Sequence, residues 1–503
     1  MALPVATCLL DAANLPALEH LRQILSAANY TEAGIASIIG DLELPARHGG
    51  NLPRLLHAAA GDTPLHTLVQ LFIVGVPVNP EAARRAFHPL PLRQVAEMGL
   101  VTVEEDAVRA AVSLVAWKGL LLACDPPQKL DVDADLSPVM SPWCRSTHEL
   151  VQFSIRRPSA RVLDLGTGCG ILAILAASHS EEVIALDLNP RAVSFASFNS
   201  RLNGRSNVTC LQGDRFEPVR GQRFDLILCN PPFVISPSRQ IAYRDSGEEA
   251  DTFCRELARQ VPAFLNENGY FQMIFQWIER TGEDSQEVLA RWFADTGCDV
   301  WVLGLETSDP SSYAEQAMGD TAPGDPEAAG RLYDQWTDYY RRNRVAVIAT
   351  GLAAMRRCSG RENFLRVNEV PQARSQPYGE AVGQAFDLCQ FLGGLESEAS
   401  LLQEKLRLPD GIKLVRQSQW GASGWEREGT EVQLPAGLQF NAEIDEDIAL
   451  LFSHCNGERT LQDLLQQVAA GSNRSLETVI RETLPTVLEL VSYGFLIPVR
   501  SLW

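Results

Sequence analysis

The first candidate for chemistry along the chain is a glycine-rich turn that follows an apolar run and an acid. From Val162 the sequence is Val-Leu-Asp-Leu-Gly-Thr-Gly-Cys-Gly, and it continues into Ile-Leu-Ala. Glycine lets the backbone turn sharply and approach a ligand where a Cβ would collide. An acid just before such a turn can bind a cationic amino group of a ligand. The candidate binding residues of this turn are Asp164, Gly166, Thr167, Gly168 and Gly170.

Two more acids follow apolar runs further along the chain. Asp187 lies 17 residues after Gly170, about where α/β folds place a ribose-binding carboxylate. Asp214 follows a third run and is placed to accept from an adenine amino group. The dinucleotide-binding fingerprint is Gly-x-Gly-x-x-Gly, whereas here the third glycine comes one residue earlier, in Gly-x-Gly-x-Gly. This difference favours another nucleoside-bearing cofactor. The candidate residues of these two runs are Asp187, Leu188, Asp214, Arg215 and Phe216, the last as an apolar wall.

The fourth apolar run ends in the tetrapeptide Asn230, Pro231, Pro232 and Phe233. Two prolines fix the backbone and remove its donors, so the Asn230 side-chain oxygen and the Pro231 carbonyl can face a ligand as acceptors. Phe233 offers a flat face for stacking. Such a site suits an amino group on a planar, conjugated system, because both N–H bonds find acceptors. We therefore expect these four residues to be catalytic, with Asn230 orienting the nucleophilic nitrogen.

Taken together, these motifs resemble the class I S-adenosylmethionine-dependent methyltransferases over roughly residues 145 to 305. The resemblance implies S-adenosyl-L-methionine as the cofactor. It implies that Asp164 and the glycines surround the methionine end, that Asp187 holds the ribose and that Asp214 reads the adenine. Asn230 is expected to border the cofactor as well.

The acceptor stays open between a protein and an RNA. Asn-Pro-Pro-aromatic resembles methyltransferases that act on adenine N6, cytosine N4, guanine N2 or the glutamine amide. Residues 243–255 are similar to the corresponding stretch of release-factor glutamine-N5 methyltransferases, whereas Phe233 is more typical of the ribosomal-RNA base enzymes. A macromolecular acceptor follows from either similarity. The alternative of another class is a catalytically silent scaffold that binds the cofactor or a partner.

Short apolar runs alternate with helical stretches through the middle of the chain, which predicts a parallel sheet covered on both faces. We expect an α/β, Rossmann-like methyltransferase domain of seven strands over residues 131–370. Residues 308–344 form an insertion rich in aromatics, helical from about Gly330, which serves as packing or as a lid. The seven predicted strands are Val162–Leu165, Val183–Leu188, Val208–Gln212, Phe224–Cys229, Tyr270–Phe275, Val300–Leu305 and Val345–Met355.

Both flanks are predicted to be mainly helical. Residues 1–130 form an N-terminal domain in which two short helices at 80–87 and 91–98 precede a hairpin, as in a winged helix. Residues 396–503 form a second winged-helix-like domain, with amphipathic helices after an irregular stretch at 421–429. The segment 124–142 is expected to be an exposed connector.

Composition excludes several classes of protein. The 503 residues carry 43 Lys and Arg against 63 Asp and Glu, a formal charge of -20, so the whole molecule does not attract nucleic acid. Arg84, Arg85 and Arg93 are the nearest approach to a basic patch on the flanks. The longest apolar run is too short for a membrane span, and the 11 cysteines show no metal-ligand spacing. We also expect no secretory signal, because the first apolar residues carry no basic residue ahead of them. We expect a cytoplasmic protein without a metal.

Overall fold

The computed structural model describes residues 9–40, 52–126, 144–237, 244–319, 325–370, 377–421 and 424–499. The chain divides into two compact units. The first comprises Met1–Val151, Pro158–Ser359 and Phe364–Val367, and the second Gln152–Arg157, Gly360–Asn363 and Asn368–Trp503. The predicted boundary at residue 130 and most of the predicted connector lie outside the described residues, so the three-domain division stays a prediction.

Helices begin the first unit, as predicted. They are α1 Leu15–Ala27, α2 Glu32–Ile39, α3 Leu52–Ala58, α4 Pro64–Val69, α5 Pro80–Phe87 and α6 Leu92–Glu97, with a π-helical turn at Gln70–Val74. Short polar side chains cap several of them; Asn14 accepts from Ala17 N, for example. Two antiparallel hairpins follow, β1 Val101–Val103 with β2 Val108–Ala110 and β3 Ser113–Trp117 with β4 Leu120–Cys124. The winged-helix arrangement of this region stays a prediction.

A large sheet forms the centre of the first unit. Its eight strands are β5 Ser159–Leu165, β6 Ser180–Asp187, β7 Val208–Gln212, β8 Phe224–Cys229, β9 Leu265–Arg280, β10 Cys298–Ser308, β11 Val345–Arg357 and β12 Leu365–Glu369. Their order among the described residues is β12-β10-β11-β9-β8-β5-β6-β7. Six of the seven predicted runs lie within one of these strands, and the second extends one residue beyond β6, to Leu188. The described sheet has eight strands where seven were predicted, because β12 adds an edge strand beside β10.

The sheet was predicted to be parallel, and this is wrong for β11. Strands β5 to β9 pair in parallel, but β11 is antiparallel to both β9 and β10. The insertion between β10 and β11 contains two helices, at Pro310–Met318 and Pro326–Arg342, where one was expected. An apolar run locates a strand but does not indicate its direction, so the alternating pattern could not reveal the reversal.

Helices connect the strands and cover the sheet. Among the described residues these helices are α7 Arg145–Phe153, α8 Ile171–Ala176, α9 Pro190–Leu202, α10 Thr252–Gln260, α11 Ser285–Phe293, α12 Pro310–Met318 and α13 Pro326–Arg342. The last two residues of α7 belong to the second unit. Strand β5 has β6 on one side and β8 on the other, so the chain order reverses at β5. Parallel sheets bind ligands at the carboxyl ends of the strands at such a switch point.

Helix α9 joins the β3–β4 hairpin to the sheet through two asparagines. Asn199 donates to the carbonyl and accepts from the N–H of Ala123, and Asn203 does the same for Leu121. Asn199 also donates to the Cys169 carbonyl at 2.8 Å, which ties the hairpin to the glycine-rich turn. Asp125 is buried in an ion pair with Arg191. Asp125 was predicted to lie in an exposed connector. This prediction is wrong for Asp125, because its carboxylate is buried against the guanidinium of Arg191.

The second unit has its own apolar core. Its elements are helices α14 Gly379–Gly393, α15 Glu446–His454, α16 Leu461–Ser472 and α17 Leu476–Ser492, and strands β13 Lys405–Arg407, β14 Lys413–Gly421, β15 Gly424–Gln433, β16 Asn441–Glu443, β17 Asn456–Thr460 and β18 Ile497–Pro498. The three predicted amphipathic helices are α15, α16 and α17. The irregular structure predicted for 421–429 is wrong for the described residues of this stretch, because residue 421 belongs to β14 and residues 424–429 belong to β15, its antiparallel partner. Trp420 and Trp425 face each other across it, and cross-strand aromatic pairs stabilise such pairing.

Candidate active site

The glycine-rich turn has the backbone conformation that its composition predicts. Gly166, Gly168 and Gly170 have φ angles of 74°, 54° and 87°, the left-handed region that favours glycine. A Cβ on Gly170 would lie 2.9 Å from the Ala196 Cα, so this glycine allows α9 to pack closely. A Cβ on Gly168 would have no heavy atom within 4 Å. The turn is therefore open at Gly168, where a ligand could approach its backbone.

Asp164 lies beneath the turn and is completely buried. Its Oδ2 accepts from the Thr167 hydroxyl at 2.6 Å and from the Ala173 N–H at 3.0 Å. Its Oδ1 is also buried but has no hydrogen-bond partner among the described residues. A buried acceptor without a donor costs free energy unless a ligand supplies one. The site thus fits the donor-bearing, cationic amino group that the sequence analysis assigned to this acid.

Burial raises the pKa of Asp164 to about 7, against the smaller opposing effect of its two hydrogen bonds. The folded protein therefore holds a proton on this carboxyl that the unfolded chain loses near pH 4. Through this group the unfolding free energy of the ligand-free protein decreases as the pH rises from about 4 to about 7. A bound cation lowers the pKa of this carboxyl, because it favours the ionised form.

We therefore predict that cofactor affinity weakens at acidic pH. Only the ionised carboxylate pairs with a cationic amino group, so the Kd for S-adenosylhomocysteine should be about tenfold higher at pH 6 than at pH 8. Calorimetric titration at the two pH values measures this difference. The Asp164→Asn variant, which has no proton to lose, should show little pH dependence. An equal pH dependence in that variant would assign the effect to another group.

Asp187 ends β6 and faces the turn. Its Oδ2 accepts from Gly168 N at 2.9 Å and its Oδ1 from Asn189 N at 2.9 Å. Burial raises the pKa of this carboxyl too, opposed by those backbone N–H groups. The next residue, Leu188, has 66% of its surface exposed. Asp187 and the turn are thus brought together as predicted, while the ribose role and the role of Leu188 stay predictions.

The end of β7 carries the third predicted group. Asp214 is exposed, and Gly213 N donates to the Asp187 carbonyl at 3.0 Å, so the first two acids and this loop share one end of the sheet. Phe216 was expected to be an apolar wall for the adenine, but it lies in the core of the sheet. Only 4% of it is exposed, and its ring stacks on Phe264 with centroids 4.2 Å apart. Little of its surface is left for an adenine, because the core uses it.

Arg215 connects the β7 loop to the chain that follows the tetrapeptide. It forms an ion pair with Glu248, lies 3.5 Å from Glu256 and places its guanidinium 4.6 Å from the centroid of the Phe253 ring. These contacts use its charge within the protein. They make Arg215 a link between the two sides of the site, a relation that its position in the sequence did not indicate.

The tetrapeptide lies at the carboxyl end of β8, beside the turn. The carbonyl oxygen of Asn230 is 3.9 Å from the position that a Cβ on Gly166 would occupy. Pro231 is buried, and Phe233 is half-buried against the core of the sheet. The structure therefore brings the predicted catalytic residues next to the predicted cofactor residues, at the switch point of the sheet.

Sequence reasoning missed the partners of Asn230. Its Nδ2 donates to the hydroxyls of Thr147 and Ser146 in the first turn of α7, at 2.9 and 3.2 Å. More than 80 residues separate them from Asn230 in the chain. The only sequence signal was a pair of hydroxyls at a helix start, which normally indicates a cap.

The insertion holds the chain directly after the tetrapeptide. Tyr340 donates to the Ile235 carbonyl at 2.7 Å, and the Tyr313 hydroxyl accepts from the Ile235 N–H at 3.3 Å. Tyr313 in turn donates to Gln276 of β9 at 2.5 Å. These side chains, with Trp336, form a buried cluster. The described part of the insertion therefore packs against the chain that leaves the candidate catalytic segment, and a role as a lid stays a prediction.

We predict that Tyr313→Phe lowers the unfolding free energy by about 1–3 kcal/mol, because it leaves the buried Ile235 N–H and Gln276 oxygen without a partner. Urea denaturation followed by fluorescence measures the change. Tyr333→Phe is the matched control, since no hydrogen bond of that hydroxyl is seen among the described residues. Equal stability of the two variants would contradict the assigned network.

Two further observations concern other kinds of site. Within the described ranges, no three His, Cys, Asp or Glu side chains come together as metal ligands would. No helix of the same ranges combines the length and apolarity that crossing a bilayer requires.

Comparison with known protein families gives three matches along the chain. Residues 146–298 match the model described as "Methyltransferase small domain". Residues 27–111 and 384–498 match two models described as domains of unknown function, DUF7059 and DUF7782. The first match contains the glycine-rich turn, all three acids and the tetrapeptide.

Curated relatives align with the same part of the chain. The release factor glutamine methyltransferase of Geobacter sulfurreducens is 30% identical over 171 residues, which cover 31% of this chain and 58% of that protein. A putative protein N5-glutamine methyltransferase of Methanocaldococcus jannaschii is 31% identical over 121 residues, 22% of this chain and 60% of that protein. The ribosomal protein uL3 glutamine methyltransferase of Bradyrhizobium diazoefficiens is 36% identical over 131 residues, with coverages of 23% and 41%. The chain spans about half the length of the curated relatives it matches.

Proposed function

We propose that this chain, whose residues 146–298 form a class I methyltransferase domain that uses S-adenosyl-L-methionine, methylates the side-chain amide of a glutamine in a protein. The resemblance inferred from the motifs is confirmed for this domain, including its mostly parallel α/β sheet with flanking helices. The activity of the whole chain and its acceptor are the proposal.

The observation that supports it most is the orientation of the Asn230 amide. Its Nδ2 is directed at the α7 hydroxyls, and no described residue donates to its Oδ1. Oδ1 is therefore the end available to a substrate, and it can only accept. A substrate NH₂ group carries two N–H donors, which Oδ1 and the Pro231 carbonyl can accept together. Planar NH₂ groups of this kind occur on the glutamine amide and on nucleobases.

Each predicted residue has a defined task in this proposal. When bound, S-adenosyl-L-methionine supplies an electrophilic methyl group on a sulfonium whose leaving group is a neutral thioether. Asp164 and the glycine-rich turn hold its methionine end, and Asp187 holds its ribose. Asn230 and Pro231 orient the substrate nitrogen by its N–H bonds, and orientation of a nucleophile alone can contribute several kcal/mol to catalysis. The half-buried Phe233 covers the substrate side.

A protein acceptor is favoured over RNA by charge and by the relatives. Arg84 pairs with Glu81 at 3.0 Å and Arg93 with Glu97 at 2.8 Å, so these arginines are already matched by carboxylates. Binding an RNA backbone requires several unmatched cations. The relatives named above are methyltransferases of protein glutamine. The winged-helix-like flanks are proposed to recognise the protein partner, and a cytoplasmic location is part of the same proposal.

The acceptor can be identified by transfer of a radiolabelled methyl group into cell extract. We expect label that protease treatment releases and ribonuclease does not, and N5-methylglutamine in the protein hydrolysate. The Asn230→Ala protein is the control for transfer by other enzymes. Label released by ribonuclease would replace the proposed acceptor with an RNA base. Absence of any label, with cofactor bound, would favour the silent scaffold.

A further inference from the structure

The first turn of α7 surrounds the amide nitrogen of Asn230 with acceptors. Asn230 Nδ2 lies 2.9 Å from Thr147 Oγ1, 3.2 Å from Ser146 Oγ and 3.7 Å from Cys144 Sγ. Of the three, Thr147 is the nearest and the most buried, with 6% of its surface exposed. Ser146 is half-buried and Cys144 is exposed. The geometry of the amide is therefore set mainly by Thr147.

Thr147 is itself held in place. Its hydroxyl lies 2.7 Å from Cys144 Sγ, and Ser146 Oγ donates to the same sulfur at 3.2 Å. A hydroxyl has one proton and two lone pairs, so Thr147 can donate to the sulfur and still accept from Asn230. Its position within α7 fixes its backbone. The acceptor that Asn230 meets is thus ordered before any substrate arrives.

The two ends of an asparagine amide have the same shape and opposite hydrogen-bonding character. If the Asn230 amide rotated by half a turn, Nδ2 would face the substrate NH₂ group, and two sets of donors would meet. The same rotation would point Oδ1 at the two hydroxyls, which could donate to it only by turning their protons away from the Cys144 sulfur. The rotated amide would thus lose hydrogen bonds on both sides, and such a loss destabilises that orientation. Contacts with α7 therefore decide which end the substrate meets.

We propose that Thr147 is a positioning residue that holds the Asn230 amide with its oxygen toward the substrate. This inference rests on the proposed function for the identity of the substrate group. It does not depend on that function for the orientation itself, which is a property of the protein alone.

The test compares three variants of the full-length protein. Thr147→Val keeps the shape of the side chain and removes the hydroxyl, Thr147→Ser keeps the hydroxyl, and Ser146→Ala removes the more distant acceptor. We expect kcat to fall about tenfold in Thr147→Val, with the Kd for S-adenosylhomocysteine unchanged. Thr147→Ser should restore most of kcat, and Ser146→Ala should lower it less than Thr147→Val does. Wild-type kcat in Thr147→Val would overturn the proposal.

A second measurement needs no activity. With ¹⁵N-labelled asparagine, the side-chain NH₂ signal of Asn230 can be assigned by its loss in Asn230→Ala. Its hydrogen exchange should be slow in the wild type and in Thr147→Ser, and faster in Thr147→Val. If the wild-type protein transfers no methyl group and this pattern still holds, the proposed function fails and the positioning role stands. Equal hydrogen exchange of the Asn230 side chain in the wild type, Thr147→Ser and Thr147→Val would reject the positioning role. This conclusion holds even if Thr147→Val is less stable than the wild type.

Discussion

Replacing Asn230 with alanine is expected to lower kcat for methyl transfer about a hundredfold or more, since misplacement of a nucleophile by about 1 Å has effects of this size. The variant keeps the glycine-rich turn, the buried Asp164 and the half-buried Asp187, so S-adenosylhomocysteine should still bind with nearly wild-type affinity. Single-turnover transfer and calorimetric titration separate the two quantities.

A matched asparagine provides the control for this substitution. Asn343 follows α13 and donates its side-chain amide to the Tyr339 carbonyl at 3.1 Å, so Asn343→Ala removes an amide of the same unit without touching the site. It should leave kcat unchanged. If Asn230→Ala lost cofactor binding while remaining folded, Asn230 would be a cofactor ligand and its assigned role in orienting the substrate would be wrong.

Replacing Asp187 with alanine is expected to have the reverse effect. The Kd for S-adenosylhomocysteine should rise about 10- to 100-fold, the cost of losing one or two hydrogen bonds to a charged acceptor. Two causes contribute. The ribose loses its carboxylate, and Gly168 N loses the acceptor that holds the turn. At saturating cofactor, kcat should fall far less than it does in Asn230→Ala.

The control for Asp187 is an acid that also accepts from backbone. Asp284 caps α11 by accepting from Glu287 N at 2.9 Å, and Asp284→Ala should leave the Kd unchanged. Wild-type affinity in Asp187→Ala would remove this acid from the cofactor site and leave Asp164 as the acid beneath the turn.

The parts of the site that depend on neighbouring residues could be predicted from the sequence. Left-handed conformations at Gly166, Gly168 and Gly170 follow from composition, because glycine adopts them without a steric penalty. The strands could be located because each is a short, continuous apolar run in a sheet covered on both faces. Acids at the ends of such strands necessarily meet at one edge of the sheet.

Features that depend on distant residues could not be predicted in the same way. Thr147 and Asn230 are 83 positions apart, and nothing in either local sequence specifies the other. Phe216 was expected to be an apolar wall for the adenine, but composition does not say whether a ring packs inward. It stacks on Phe264 in the core. The reversed direction of β11 could not be predicted either, because an apolar run does not indicate in which direction its strand runs.

The central claim is that the acids and the glycine-rich turn form a site for S-adenosyl-L-methionine beside Asn230. Calorimetric titration of the purified, folded protein with S-adenosylhomocysteine at pH 8 tests it most directly. One molecule should bind per chain, with an affinity that decreases when the pH is lowered through about 7. A folded protein that takes up neither this product nor S-adenosyl-L-methionine would contradict the account.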